Sequence, residues 1–224
     1  VIQEHTGRVH PLVWVGIGLA SLQQLTGINV VFYYGGTLWQ AAGFTEASAL
    51  FTNVVSGSVN VVFTFVAIAL IDRVGRRPLL LVGSLGQAVM LGVMAYVFAT
   101  AAQGGASGIE MQGRQGLVAL LAANAYIAFF AFSWGPVMWV MLGEMFPNRF
   151  RGAALSVCGL VQWLSNFLVT WTFPILLGSI GLGISYGIYA AFGGVAFVFV
   201  KWFVDETRGR SLEDLSREAE ATTA

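Results

Sequence analysis

Six long apolar stretches, with charged residues only at their ends and in the segments outside them, constrain this chain more than any other feature. A helix needs about 20 apolar residues to cross the hydrocarbon core of a bilayer. Backbone groups find no water there, so such a run closes its own hydrogen bonds as a helix. The expectation is six transmembrane helices near 11–40, 47–71, 78–102, 116–143, 152–178 and 182–204. Only 10% of the residues are charged and 57% are hydrophobic, whereas soluble domains carry roughly 25% charged residues. The mean hydropathy of +0.76 points the same way. The fold class is an all-α membrane protein. Beyond the last span, Ser211-Leu212-Glu213-Asp214 has capping-box spacing and opens a short amphipathic helix expected at about 211–220.

The charges alternate between the two ends of the spans. Arg8, Arg73, Arg76, Arg77, Arg149, Arg151, Lys201, Arg208, Arg210 and Arg217 fall on one side. Arg114, in the Gly-rich segment 103–116, is the one cation on the other. By the positive-inside rule both termini are expected in the cytoplasm, in a multi-pass protein of the cell (inner) membrane. The eleven cations balance eleven anions, so no nucleic-acid partner is implied. The lone Cys158 lies in an apolar run and reads as a small buried thiol. The chain opens without Met on a polar piece, Gln3-Glu4-His5-Thr6-Gly7-Arg8, so it is expected to be the interior of a longer protein. Residues 1–10 read as the end of a cytoplasmic linker, 11–204 as the transmembrane domain and 205–224 as a cytoplasmic tail.

The first and fourth spans are both interrupted, by Gly27 and Gly35-Gly36 in one and by Trp134-Gly135-Pro136 in the other. They stand three helices apart, as the matched broken helices of an inverted repeat do, and such breaks mark a midplane binding site. Carboxamides cluster beside them. Gln23, Gln24 and Asn29 lie in the first span, Asn53 and Asn60 in the second, and Gln162 and Asn166 in the fifth. Lipid cannot satisfy an amide, so these groups need one another, water or a ligand. One use for them is gluing helices together; another is binding a ligand rich in hydroxyls.

Gln24 and Asn29 are five residues apart, about 140° around an ideal helix. Unwinding at Gly27 is what would turn both to one cavity. Asn53, Ser56, Asn60 and Thr64 form a stripe at helical spacing. Gln162 and Asn166 share a face, with Trp163 beside them. Trp134 and Trp139 sit inside the fourth run, and an indole face suits the C–H face of a sugar ring. No Asp, Glu, Lys, Arg or His lies in the middle of a span. A proton relay of the usual kind, a catalytic dyad and a metal cluster therefore have no residues to build on, and no cofactor is implied. His5 and His10 are too few for a metal site.

Five segments, in this order, resemble the C-terminal half of the sugar porters of the major facilitator superfamily, the group of the glucose facilitators and xylose/proton symporters. They are Gln23-Gln24-Leu25-Thr26-Gly27-Ile28-Asn29 with Phe32-Tyr33-Tyr34; Asp72-Arg73-Val74-Gly75-Arg76-Arg77; Gly135-Pro136-Val137-Met138-Trp139 with Gly143-Glu144-Met145-Phe146-Pro147; Arg149-Phe150-Arg151-Gly152; and Asp205-Glu206-Thr207-Arg208-Gly209-Arg210-Ser211-Leu212. The resemblance implies helices 7–12 of a twelve-helix fold, with the N-terminal six-helix half missing. It implies that Gln23, Gln24, Asn29, Asn60, Trp139 and Gln162 line the sugar site, joined in bacterial members by Trp134 and Trp163. Tyr33 and Tyr34 resemble the extracellular gate. Asp72, Arg76, Arg77, Glu144, Arg151 and Glu206 resemble the intracellular ion-pair network. The family's second proline is Met138 here, its closing motif begins with Asp205 in place of proline, and Ala131 stands where animal facilitators carry a charge.

The function implied is transport of a hexose or pentose by alternating access, with no bond made or broken. The alternatives are transport of another polyol such as inositol, and a truncated membrane remnant that transports nothing. A membrane enzyme is disfavoured by the lack of intramembrane acids, bases and metal ligands.

Overall fold

The computed structural model describes residues 9–41, 45–104, 108–110 and 114–209. The first span is three helices in series: α1 (Pro11–Leu25), α2 (Ile28–Tyr33) and α3 (Gly35–Ala41). Pro11 opens α1, where a missing N–H costs nothing, and His10 Nδ1 accepts the Leu12 N–H at 3.3 Å. The second span is α4 (Glu46–Val74), capped by Thr45 Oγ1 on the Ser48 N–H. It stops at Gly75, whose φ of +104° lies in the region that favours glycine. The third is α5 (Arg76–Thr100). The fourth runs as α6 (Gln115–Phe129), a π turn (Phe130–Trp134) and α7 (Pro136–Met145).

The last helix, α8 (Arg151–Phe203), is 53 residues long with one non-helical residue, Gly181, at φ 78° and ψ 173°. A straight helix of that length would measure about 80 Å, against a bilayer core of about 30 Å. Cβ atoms built at Gly16 and Gly18 of α1 would touch Cys158 and Phe199 respectively. Those two α8 residues would stand about 60 Å apart on a straight helix. The chain therefore folds back at Gly181, and α8 supplies the fifth and sixth spans. The boundaries expected at 178 and 182 fall on either side of this turn. Among the described residues the helices are joined by one short antiparallel pair, β1 (Ala102–Gly104) with β2 (Gly108–Glu110), in the segment read from sequence as a plain Gly-rich loop. The tail helix expected at 211–220 lies outside the described residues.

Small residues let α5 approach its neighbours closely. A Cβ at Gly83 would stand 1.8 Å from Ser133 Oγ, and one at Gly193 of α8 about 3.0 Å from Ala88. In lipid the attraction between helices is packing, which favours such contacts. One buried cluster, including Val31, Tyr126, Phe173 and Tyr189, fills the half toward the β1–β2 pair. A second, including Leu19, Trp134, Met138 and Val200, fills the charged half. α4 is mostly exposed, showing Val61, Val62, Phe65 and Ile68.

Candidate functional site

The site begins at the break between α1 and α2. Gly27 is left-handed, with φ 79° and ψ 22°, and a Cβ there would meet the Tyr189 ring at 2.8 Å. Position 27 thus excludes a side chain on both conformation and space. The break turns Asn29 back onto Gln24, and Asn29 Nδ2 donates to Gln24 Oε1 at 2.7 Å. Two residues on different faces of an ideal helix are in contact here.

From this pair a network of carboxamides spreads to α8. Asn29 Nδ2 also donates to Asn166 Oδ1 at 2.9 Å, and Thr170 Oγ1 donates to the same oxygen at 3.1 Å. Gln162 Nε2 donates to Gln23 Oε1 at 3.0 Å, which Gln24 Nε2 approaches at 3.5 Å. Gln23 Nε2 donates to the Trp134 carbonyl at 2.7 Å, so the network also reaches the π turn. That turn is made by the Gly135 N–H bonding Phe130 O five residues back, just before Pro136, which has no N–H to give. Such π turns concentrate at functional sites. Gln23, Gln24 and Asn166 are buried. Gln162 Oε1 is a buried acceptor with no hydrogen-bond partner among the described residues. The assembly offers both amide N–H donors and carbonyl acceptors at adjacent points, the pattern a polyhydroxylated ligand can replace bond for bond.

The remaining expected site residues are placed differently. Trp134 is 1% exposed, and its indole N–H is held by Leu80 O at 3.1 Å and Ser84 Oγ at 2.9 Å on α5. Its backbone carbonyl, rather than its ring, joins the network. Trp139 and Trp163 are exposed, Trp163 directly beside Gln162. Asn60 is partly buried on α4, and its carbonyl accepts the Thr64 hydroxyl. The stripe on α4 is engaged elsewhere: Ser56 Oγ donates to Asn124 Oδ1 on α6 at 3.2 Å, and Asn53 packs on Gly35. Tyr34 donates to the Thr170 carbonyl at 3.2 Å and packs on Phe173, which sets it next to the network. Tyr33 is exposed.

At the charged end Arg76 and Glu144 form a two-pronged pair, Nη2 to Oε1 at 2.7 Å and Nε to Oε2 at 3.0 Å. Asp72 Oδ1 stands 3.0 Å from Arg76 Nη1. Asp72 is largely exposed and Glu144 only slightly, so the Glu144 bond is the stronger of the two. Glu206 caps α5 from the far end of the chain: its oxygens accept the Arg76 and Arg77 N–H groups at 3.0 Å each. A carboxylate at a helix N-terminus satisfies unpaired donors and the helix dipole together. Arg77 Nη2 donates to the Lys201 carbonyl at 2.7 Å, and Arg151 Nε to the Phe146 carbonyl at 3.0 Å. Arg151 therefore braces a turn of its own segment.

Sequence reasoning missed Thr170, Ser84, Asn124 and Thr207, the last donating to Glu144 Oε2 at 2.5 Å. Thr170 was legible, one turn beyond Asn166 on the same face. Ser84 and Thr207 carry no such signal, because their partners come from distant segments.

The chain matches the family model described as sugar (and other) transporter over residues 2–219. It is 48% identical to the glucose transport protein of Synechocystis sp., over 93% of this chain and 44% of that protein. It is 40% identical to the D-xylose-proton symporter of Escherichia coli, over 90% of this chain and 40% of that one. A structure of the proton:xylose symporter XylE bound to 6-bromo-6-deoxy-D-glucose shares the fold at a TM-score of 0.80 and 38% identity, covering 92% of this chain and 42% of that chain. The chain spans less than half the length of these relatives.

Proposed function

The chain belongs to the sugar transporter family, and from this premise we propose that it forms the C-terminal six-helix half of a transporter for a hexose or pentose. It works by alternating access together with an N-terminal six-helix half. The observation that carries this reading is the amide network of Gln23, Gln24, Asn29 and Gln162, closed on Asn166 and the Trp134 carbonyl. Amides that satisfy one another can exchange those partners for sugar hydroxyls at small net cost. A sugar lacking the matching hydroxyl leaves a buried amide unpaired, which is the source of selectivity.

The exposed Trp139 and Trp163 supply stacking faces, and Asn60 adds an amide from α4. Trp134 acts through its carbonyl. Tyr33 and Tyr34 gate the outer mouth. Asp72, Arg76, Arg77, Glu144, Arg151 and Glu206 form the inner clasp, in the inner membrane with both termini in the cytoplasm. A clasp of several partly buried charges is of the right size to bias a two-state equilibrium by a few kcal/mol.

The test is uptake of labelled glucose and xylose into vesicles carrying the assembled transporter, with and without a proton gradient and with inositol as competitor. Asn29→Ala and Gln162→Ala are each expected to lower uptake at least about tenfold, as loss of a buried hydrogen-bond partner does. Wild-type uptake by both variants sinks the site assignment. No sugar uptake by the unaltered protein sinks the function.

A further inference from the structure

The two interrupted spans hold each other's breaks. In an unbroken helix the Thr26 carbonyl would accept the Val30 N–H. Here Val30 gives its N–H to Gly27 O at 3.1 Å, and Val31 bonds the same oxygen at 3.4 Å. The left-handed turn at Gly27 has taken the helical donor away from Thr26. An unpaired carbonyl within a membrane span is costly. Tyr126 of α6 replaces the donor: its hydroxyl bonds Thr26 O at 2.9 Å, and the residue is fully buried. Tyr189 closes the other side of the break, its ring occupying the space a Cβ at Gly27 would need. The fourth span thus secures the break of the first. In return Gln23 of the first span bonds the Trp134 carbonyl at the π turn of the fourth.

We propose that Tyr126 is a positioning residue: by holding the Thr26 carbonyl it fixes the Gly27 break, and so keeps Gln24 and Asn29 in one ligand-facing arrangement. This rests on reading the amide network as a sugar site. Among the described residues the Tyr126 hydroxyl bonds backbone alone, so it acts on a ligand through the amides it orients. The entropy of ordering them is met before binding, and removing the pin transfers that cost to the ligand.

Tyr186 is the matched control. It is a phenol as fully buried as Tyr126, but its hydroxyl has no hydrogen-bond partner among the described residues. Tyr126→Phe and Tyr186→Phe make the same chemical change in similar surroundings, and both keep the ring that packs. In the assembled transporter in micelles, Tyr126→Phe is expected to speed backbone hydrogen exchange across 22–31 at least about fivefold, and Tyr186→Phe to leave it unchanged. In vesicles, Tyr126→Phe raises the KM for sugar roughly five- to tenfold with the maximal rate held within about twofold, while Tyr186→Phe moves neither. Unchanged exchange in Tyr126→Phe overturns the pin. Faster exchange with an unchanged KM overturns its bearing on the ligand. Equal effects from the two variants reduce Tyr126 to packing. If the unaltered protein transports no sugar, the sugar reading falls and the exchange comparison still decides the pin.

Discussion

At the scale of single residues, glycine positions carry much of the architecture because of what they leave empty. A Cβ at Gly75 would stand 2.7 Å from Glu206 Oε2, and the backbone there has φ +104°. Gly75→Ala therefore forces a strained backbone and displaces the carboxylate from the Arg76 and Arg77 N–H groups. The expected loss is about 1–3 kcal/mol of stability, the range for a residue held in a disfavoured region. Thermal unfolding in detergent checks this, with Glu206→Gln as the milder partner, since an amide oxygen still accepts one N–H. A Gly75→Ala protein as stable as the parent would refute this account of the clasp. Gly27 was legible as a break because it stands among amides that a continuous helix would point apart. The bond from Tyr126 was not, because a tyrosine in an apolar run reads equally well as packing. Trp134 was misleading for a related reason. The indole reads as a stacking face until the π turn rotates it onto Ser84 and leaves its carbonyl toward Gln23.

At the scale of elements, α5 and the fourth span are set by clearance. Gly83 leaves room for Ser133, whereas among the described residues nothing lies within 4 Å of a Cβ at Gly92 on the same helix. The two positions therefore answer one substitution with opposite signs. Gly83→Ala is expected to lower the melting temperature by several degrees, in line with overpacking costs of about 1–3 kcal/mol. Gly92→Ala is expected to hold or slightly raise it, since Ala exceeds Gly in helix propensity by roughly 1 kcal/mol. Equal destabilisation by both would remove clearance as the explanation. The six spans themselves were readable from apolar length, because a bilayer leaves the backbone little alternative to a helix. The pieces within spans were not. Gly35-Gly36 marks the start of α3 well, but no pattern in Phe130–Trp134 distinguishes a π turn from an α-helix, since the difference is one hydrogen bond shifted by one residue. The turn at Gly181 was bracketed by the boundaries expected at 178 and 182, although it comes without the polar linker that a loop between spans usually shows.

At the scale of the whole molecule, the arrangement has two chemically distinct ends joined by a polar centre. Asp72, Arg76, Glu144 and Glu206 gather at one end, with the β1–β2 pair and Arg114 at the other. The orientation proposed above makes a direct prediction for chemical labelling. Arg114→Cys is expected to react with an impermeant maleimide in intact cells, and Arg73→Cys only once the inner face is opened. Cys158 is buried and gives little background. The reverse pattern would invert the topology. The charge asymmetry behind this prediction was fully legible in the sequence. Which charge meets which was legible only in part. The pairing of Arg76 with Glu144 follows from their shared end of the bundle, while the capping of α5 by a carboxylate 130 residues away depends on tertiary closure.

That remote cap gives the molecule a mechanical property. The segment after Phe203 is tied to the molecule at two places, through the backbone of α8 and through side-chain bonds of its own. The two Glu206 bonds and the Thr207–Glu144 bond join it to the start of α5 and to α7. Both elements adjoin the π turn, and the π turn carries the carbonyl that Gln23 holds. A displacement of the tail therefore has a contact route to the polar centre that is separate from the α8 backbone.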